Sequence, residues 1–130
     1  MPAWLAQPGI ILFTENFDAC VRFYRDLLEL PVRFDKGHLI TLEFGSGYLM
    51  IEKDGFAAPT GKTRAQNPAV LRFNVDDVEA AAAMLRAKGV AVEVMTFDWG
   101  TIGAFHDPDG NPCELKNQTD GFFAPRRQGR

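Results

Sequence analysis

Two glutamates on predicted strands are the side chains of this sequence best placed to do chemistry. Glu114 follows a turn in "HDPDGNPCELKN", where Asp-Pro and Asp-Gly favour a tight reversal and the alternation after it predicts a strand. Glu52 lies near the end of "LITLEFGSGYLMIEK", which predicts two strands around a Gly-Ser-Gly turn. A carboxylate on a strand can hold a metal ion, contact a bound ligand, act as a general base, or belong to a merely polar sheet face.

The elements that must position these glutamates occur twice along the chain. In the first half, an apolar strand leads into a helix with apolar side chains at helical spacing, which Asn16 can cap, before the two strands that contain Glu52. The second half has the same order, with Asp76 or Asp77 as the cap and Gly89 at the end of an alanine-rich helix. Two βαβββ units in one chain indicate an internal duplication.

Two stretches, "FYRDLLELPV" in the first half and "HDPDGNPCEL" in the second, resemble the vicinal oxygen chelate superfamily, which includes glyoxalase I, bleomycin-resistance proteins and extradiol dioxygenases. The resemblance covers residues 9 to 116. It implies an α+β fold in which two βαβββ modules form an incomplete curled sheet, with the helices on its outer face and a ligand cavity inside. We therefore expect a single domain, 1–130, with modules at 9–53 and 69–116, a linker at 54–68 and a tail at 117–130.

The composition excludes some classes of partner. A net charge of -3 and a pI near 5.3 give no general attraction to nucleic acid, and no apolar run reaches the length that a membrane span needs. The first ten residues lack the pattern of a signal peptide. The two cysteines, Cys20 and Cys113, fall on apolar faces, as buried thiols do. We therefore expect a cytoplasmic protein that binds neither nucleic acid nor membrane.

Strand alternation separates the side chains that face the helices from those on the opposite, inner side. In the second hairpin, residues 102 to 106 are expected to pair with 111 to 116 so that His106 faces Asn111, which puts Phe105 on the inner side with Glu114. Residues 90 to 95 are predicted as another strand. The expected ligand-binding residues on the inner side are Phe13, Tyr48, Met50, Arg72, Asn74 and Phe105, beside Glu43, Glu52 and Glu114. Such a mixture is typical of a binding cavity, although a half-solvated sheet face has the same pattern.

Trp99 is a further aromatic candidate for ligand binding. The stretch "FDWGTIGAFHDPDGN" resembles bleomycin-resistance-type members, which bind a drug without chemistry in a groove between two subunits. Trp99 can then be a stacking platform for a ligand, or a rim residue that packs on Phe97. Phe122 and Phe123 are more apolar than a solvated tail requires, which suggests that the tail docks, for example across a dimer.

The resemblance also implies where a divalent metal ion would bind. Catalytic members hold it with four inward residues from the leading and closing strands, and these positions carry over to Gly9, Glu52, Val70 and Glu114. Gly9 and Val70 have no donor atom, whereas a catalytic site needs about three protein ligands. Two carboxylates alone can hold a divalent ion only weakly, and Arg72 on the same face can supply the missing positive charge. We therefore expect no cofactor, with Glu52 and Glu114 as vestigial metal-ligand positions.

These observations favour a homodimeric, bleomycin-resistance-like protein that binds a small aromatic molecule in a metal-free cavity and sequesters it. One alternative is a metal-dependent lyase or isomerase of glyoxalase type, with Glu52 or Glu114 as the catalytic base beside a weakly held divalent ion. Another alternative is a dimeric interaction module whose cavity is closed by Arg72 and the glutamates. The residues leave the identity of the ligand open.

Overall fold

The computed structural model describes residues 2–120, which form two compact units. The first unit contains the chain up to Thr60 together with Pro108–Gly110, and the second contains Gly61–Asp107 with the chain from residue 111 onward. Phe122 and Phe123, for which a docking role is expected, lie outside the described residues. None of the helices in residues 2–120 is long and apolar enough to cross a bilayer.

In the first unit, a helix packs on one face of a four-stranded sheet. Its elements are β1 Gly9–Phe13, α1 Phe17–Val21 with a π-helical extension Arg22–Leu27, β2 Val32–Asp35, β3 Ile40–Phe44 and β4 Gly47–Glu52. The sheet order is β1-β4-β3-β2, with β1 parallel to β4 and the other pairs antiparallel. The wider π-helical turns bury both Phe23 and Tyr24, whereas the regular helical spacing of the sequence predicts only Tyr24 on the buried face.

The second unit repeats this plan. Its elements are β5 Leu71–Val75, α2 Val78–Ala87, β6 Glu93–Phe97, β7 Gly100–His106 and β8 Pro112–Asn117. The sheet order is β5-β8-β7-β6, with β5 parallel to β8. The expected α+β class, with two βαβββ modules and a helix on one face of each sheet, is thereby confirmed.

Both ends of α2 lie where the sequence predicts them. Asp77 caps the helix by accepting a backbone N–H of the first turn at 3.2 Å, and Gly89, with φ of 91°, follows the last turn. The N–H of Val90 bonds to the carbonyl of Leu85, so Val90 completes the helix end and is not available to a strand ladder. For this reason β6 begins at Glu93 rather than at residue 90.

The start of α1 is held by a residue that is distant in the sequence. Asn16 occupies the cap position, as predicted, but its side chain makes no capping bond. Instead, the carboxylate of Asp109 accepts the backbone N–H groups of Glu15 at 2.7 Å and Asn16 at 3.1 Å, and the Asn16 amide at 2.8 Å. Asp109 is completely buried. The Asp-Pro-Asp-Gly turn that follows β7 is therefore a structural part of the first unit.

The register of the second hairpin differs from the predicted one by a single residue. Asp107, rather than His106, faces Asn111, and its carboxylate accepts the Asn111 backbone N–H at 2.9 Å and side-chain amide at 2.8 Å. A shift of one residue moves every side chain of a strand to the opposite face. Phe105 therefore pairs with Cys113 in the core, where it is 2% exposed, and its expected place on the inner side is wrong.

The core of each unit lies between its helix and one face of its sheet. In the first unit it contains Cys20, Tyr24, Ile40, Leu42, Leu49 and Ile51, and in the second Val78, Ala82, Leu85, Phe105, Cys113 and Leu115. Both cysteines are buried, as expected, and neither forms a disulfide within the described residues. The other face of each sheet, which its helix does not cover, is called the open face below.

Candidate functional site

The open face of the first sheet carries three rows of side chains, because residues paired on neighbouring strands project from the same face. The first row holds Gly9, Tyr48 and Glu43; the second holds Ile11, Met50, Thr41 and Phe34; the third holds Phe13 and Glu52. Strand alternation therefore places Phe13, Tyr48 and Met50 correctly on this face. Their contact with a ligand stays a prediction.

The first row is occupied by an aromatic ring and an ion pair. The Tyr48 ring lies over Gly9 so closely that any side chain at position 9 would collide with it. Arg33 donates from Nε to Glu43 at 2.7 Å and from Nη2 to the other carboxylate oxygen at 2.8 Å. Its guanidinium also lies 5.5 Å from the centre of the Tyr48 ring and bonds to Gln7 at 2.9 Å. This end of the face is thus filled by the chain itself.

Arg33 is a site residue that the sequence reasoning missed. The pairing of β2 with β3 is irregular between Val32 and Phe34, so Arg33 sits at a bulge, where strand alternation fails. The hydrogen bonds from Arg33 hold the pKa of Glu43 below its usual range, and Glu43 raises the pKa of Arg33 in turn. The only signal in the sequence is an arginine between two apolar residues, Val32 and Phe34, and this pattern does not by itself predict a bulge.

The second and third rows are more open and more apolar. Ile11 and Phe13 are 48% and 52% exposed, and Met50 pairs with Ile11. Thr41 is 2% exposed, and its hydroxyl has no hydrogen-bond partner among the described residues. Glu52 is half-buried, and within residues 2–120 its carboxylate has neither a hydrogen bond nor an ion pair. The Glu52 carboxylate is therefore available to a ligand that lies on these rows, whereas a ligand would reach the buried Thr41 hydroxyl only if a neighbouring side chain moved.

On the open face of the second sheet, Glu114 is paired with Arg72. The two residues are neighbours on the parallel strands β5 and β8. Arg72 donates to one oxygen of Glu114 from Nη2 at 2.6 Å and from Nε at 3.0 Å, and the Glu114 side chain is only 16% exposed. The expected charge pairing of Arg72 with one of the two glutamates is thereby confirmed for Glu114. Asn74 is exposed one row further along β5.

Trp99 lies at the turn between β6 and β7 and packs on Phe97. The two rings are stacked, with centres 4.9 Å apart and planes at 5°. The Nζ of Lys116 lies 5.6 Å from the centre of the Trp99 ring and bonds to Asp120 at 2.5 Å. Of the two uses that the sequence allows for Trp99, packing on Phe97 is the one that the structure shows. A stacking contact with a ligand stays a prediction.

A concavity of about 610 Å³ lies elsewhere in the first unit, beside the start of α1. Its polar lining includes Glu15, Asn16, Asp18, Lys53 and Asp54, all of them exposed. It contains none of the predicted site residues, and none of its lining side chains is a buried group without a partner. The open sheet faces therefore remain the better candidate site.

The residues present do not fit the divalent metal centre that the family resemblance implies. Gly9 has no donor atom and lies under the Tyr48 ring. Val70 presents an apolar side chain that is 48% exposed. Of the two carboxylates, Glu114 is already bonded to Arg72. Within residues 2–120, no three His, Cys, Asp or Glu side chains come together to hold a metal ion.

Comparison with known proteins agrees with the fold. Residues 6–115 match the family model described as Glyoxalase/Bleomycin resistance protein/Dioxygenase superfamily. Over 119 residues the chain is 30% identical to the protein YraH of Bacillus subtilis (strain 168). This match covers 82% of this chain and 93% of YraH.

Two solved structures share the fold, each with a TM-score of 0.65 and 21% identity. One is lactoylglutathione lyase from Agrobacterium tumefaciens, matched over 89% of this chain and 94% of that one. The other is TnmS3, an antibiotic binding protein from a Streptomyces species, matched over 90% of this chain and 98% of that one. At this level of identity the two structures show the fold alone.

Proposed function

Since the chain belongs to the Glyoxalase/Bleomycin resistance protein/Dioxygenase superfamily, we propose that it binds a small, flat molecule without a resident metal ion and sequesters that molecule unchanged. The observation that carries this proposal is the Tyr48 ring over Gly9. Position 9 is where the family resemblance implies a metal ligand. Here the ring takes the place of a donor atom, while the apolar surface on which a flat ligand can pack lies on the neighbouring rows, at Ile11 and Phe13.

Exposed apolar side chains on the same face support binding rather than metal-assisted chemistry. Ile11 and Phe13 are both about half exposed on β1. Ile11 pairs with Met50 on β4, and Tyr48 lies two residues before Met50 on the same face. Exposed apolar surface with a few polar groups among it is the usual composition of a small-molecule site. TnmS3, an antibiotic binding protein, is a precedent for binding on this fold.

The proposal includes a homodimer in the cytoplasm. Each described sheet has two edge strands, β1 and β2 in the first and β5 and β6 in the second. Edge strands carry unpaired backbone groups and are common sites of association between copies of one chain.

A lyase or isomerase of glyoxalase type is the second candidate function. Glu52 favours it, because a half-buried carboxylate without a partner among the described residues can act as a general base. Glu114 is the weaker candidate base, since Arg72 already engages it. This function ranks second because it would depend on a divalent ion for which the donor set is incomplete.

Metal analysis combined with ligand screening tests the proposal. The purified protein should carry less than one equivalent of divalent metal, and a chelator should leave its melting temperature unchanged. Compounds that raise the melting temperature should do so equally with and without chelator. One tightly bound Zn, Ni, Mn or Fe per chain that is lost in Glu114→Gln, together with metal-dependent turnover of a glutathione adduct of methylglyoxal, would establish the lyase instead.

A further inference from the structure

We propose that the open face of the first sheet contains a subsite for a planar cation, in which Glu52 binds the positive charge and Thr41 makes a second, neutral hydrogen bond. This inference rests on the proposed metal-independent binding and names the chemistry of the ligand. The two residues are diagonal neighbours on β4 and β3, because Thr41 pairs with Met50. Diagonal neighbours lie about 7–8 Å apart, a distance that a fused aromatic ring system can span.

Three cations of the first unit, Arg33, Lys36 and Lys53, are engaged away from Glu52. Lys53 follows Glu52 directly, but its Nζ lies over the ring of Phe17 at 5.4 Å, on the helix side of the sheet. Arg33 donates two hydrogen bonds to Glu43, one to each carboxylate oxygen. Lys36 lies over Phe34 at the far edge of the sheet. Within the described residues no cation therefore pairs with the Glu52 carboxylate, which lies beside the exposed ring of Phe13.

Glu114 and Glu52, the two positions interpreted as vestigial metal ligands, differ in whether a neighbouring cation balances their charge. Glu114 has its charge balanced by Arg72, two of whose nitrogens donate to a single oxygen. Glu52 has no such neighbour within the described residues. A ligand cation therefore gains a charge-assisted hydrogen bond at Glu52, whereas at Glu114 it would have to compete with a guanidinium. Cation selectivity should accordingly depend on Glu52.

The second polar group of the subsite is Thr41. Its side chain is 2% exposed, and its hydroxyl is unpaired among the described residues. A buried hydroxyl without a partner destabilises a fold relative to valine, which has the same shape. Thr14 in the same unit shows the normal arrangement, since its hydroxyl donates to the carbonyl of Glu52 at 2.6 Å. The Thr41 hydroxyl is therefore a group that a ligand can satisfy.

The side chains around these two groups suit a flat apolar body. Met50 and Phe34 flank Thr41 in the second row, and Ile11 lies on the other side of Met50. Met50 is unbranched and can move to admit a ligand to the hydroxyl. Phe13 continues the apolar surface to Glu52. A planar cation whose charge is shared between an amino group on one side and a ring N–H on the other matches this arrangement, because the Glu52 carboxylate and the Thr41 hydroxyl oxygen can each accept one N–H.

Two fluorescent probes of the same shape test the role of Glu52. Acridine is largely neutral at neutral pH, whereas 9-aminoacridine is protonated. The wild type should bind 9-aminoacridine more tightly, and Glu52→Gln should weaken that binding about tenfold or more while leaving acridine unchanged. Asp54→Asn is the matched control, because it removes the same charge two residues away at a position with φ of 78° that asparagine tolerates. Its affinity for both probes should match the wild type.

A pair of threonine variants tests Thr41. Thr41→Val should keep or raise the melting temperature while weakening both probes, since the ring nitrogen loses its partner. Thr14→Val should lower the melting temperature, because it removes a hydrogen bond that is present. If Thr41→Val melts lower, as Thr14→Val does, or leaves the binding of both probes intact, the assignment of Thr41 is wrong.

The possible failures can be told apart. If other compounds bind in the presence of chelator but 9-aminoacridine does not, the cation subsite is wrong and the proposed function stands. The same holds if Glu52→Gln and Asp54→Asn change the affinity for 9-aminoacridine equally. If no compound binds without metal, both are wrong.

Discussion

Single side chains decide how the two glutamates are used. Arg72 and Glu114 could be predicted as partners because both follow from strand alternation, a local rule that holds on regular strands. Arg33 could not be predicted, since it sits at a bulge. Thr41 could be placed on the correct face, but a sequence does not show that a hydroxyl lacks a partner, because that depends on every neighbour in three dimensions.

Arg72→Met should destabilise the fold by about 1–3 kcal/mol, because it leaves the largely buried Glu114 carboxylate without its donors. Urea unfolding at neutral pH measures this loss. The double variant Arg72→Met/Glu114→Gln should recover much of it, since no charge is then left unpaired. Arg25→Met, which breaks an exposed pair with Asp26, is the control and should change stability little. If Arg72→Met is as stable as the wild type, the ion pair is solvated.

The ion pair of Glu43 with Arg33 should make stability depend on pH. The pKa of Glu43 is lowered in the folded protein, so its contribution is fully present above the pKa of the unfolded chain and is lost as the pH falls through the folded pKa. Glu43→Gln should therefore destabilise the protein at neutral pH and have a shrinking effect as the pH falls below the usual glutamate range. Urea unfolding across a pH series tests this. A difference that is independent of pH would contradict the pairing.

Whole elements show where prediction by pattern stops. The strands and helices of both modules follow from hydrophobic periodicity, and the caps at Asp77 and Gly89 follow from local chemistry. The register of the second hairpin does not, because the turn sequence allows either His106 or Asp107 to face Asn111. The choice is made by the hydrogen bonds of the Asp107 carboxylate to Asn111. One residue of difference was enough to exchange Phe105 between the core and the open face.

The Asp-Pro-Asp-Gly turn should contribute to the stability of the first unit through Asp109. Asp109→Ala removes three hydrogen bonds at the start of α1 and should cost about 2–4 kcal/mol in urea unfolding. Asp77→Ala, which removes a single capping bond from α2, is the matched control and should cost about 1 kcal/mol. If both variants lose the same stability, the Asp109 bonds do not persist in solution.

At the scale of the whole molecule, the internal duplication and the motif "HDPDGNPCEL" were sufficient to predict the superfamily. Superfamily membership alone does not choose between a lyase and a binding protein, because one of each is built on this fold. The donor set makes the difference. Gly9 and Val70 already indicate an incomplete metal site in the sequence, whereas the position of the Tyr48 ring over Gly9 required the structure.

The protein should sediment with twice the mass of one chain at micromolar concentration. Strand β1 is an edge of its sheet within the described residues, and Ile10 on it is 40% exposed on the side opposite to the proposed ligand rows. A lysine on an edge strand opposes pairing between chains, so Ile10→Lys should shift the protein towards monomer without unfolding it. Met84→Lys, at a similarly exposed position on α2, should stay dimeric. A wild type that sediments as a monomer at these concentrations would contradict the predicted dimer.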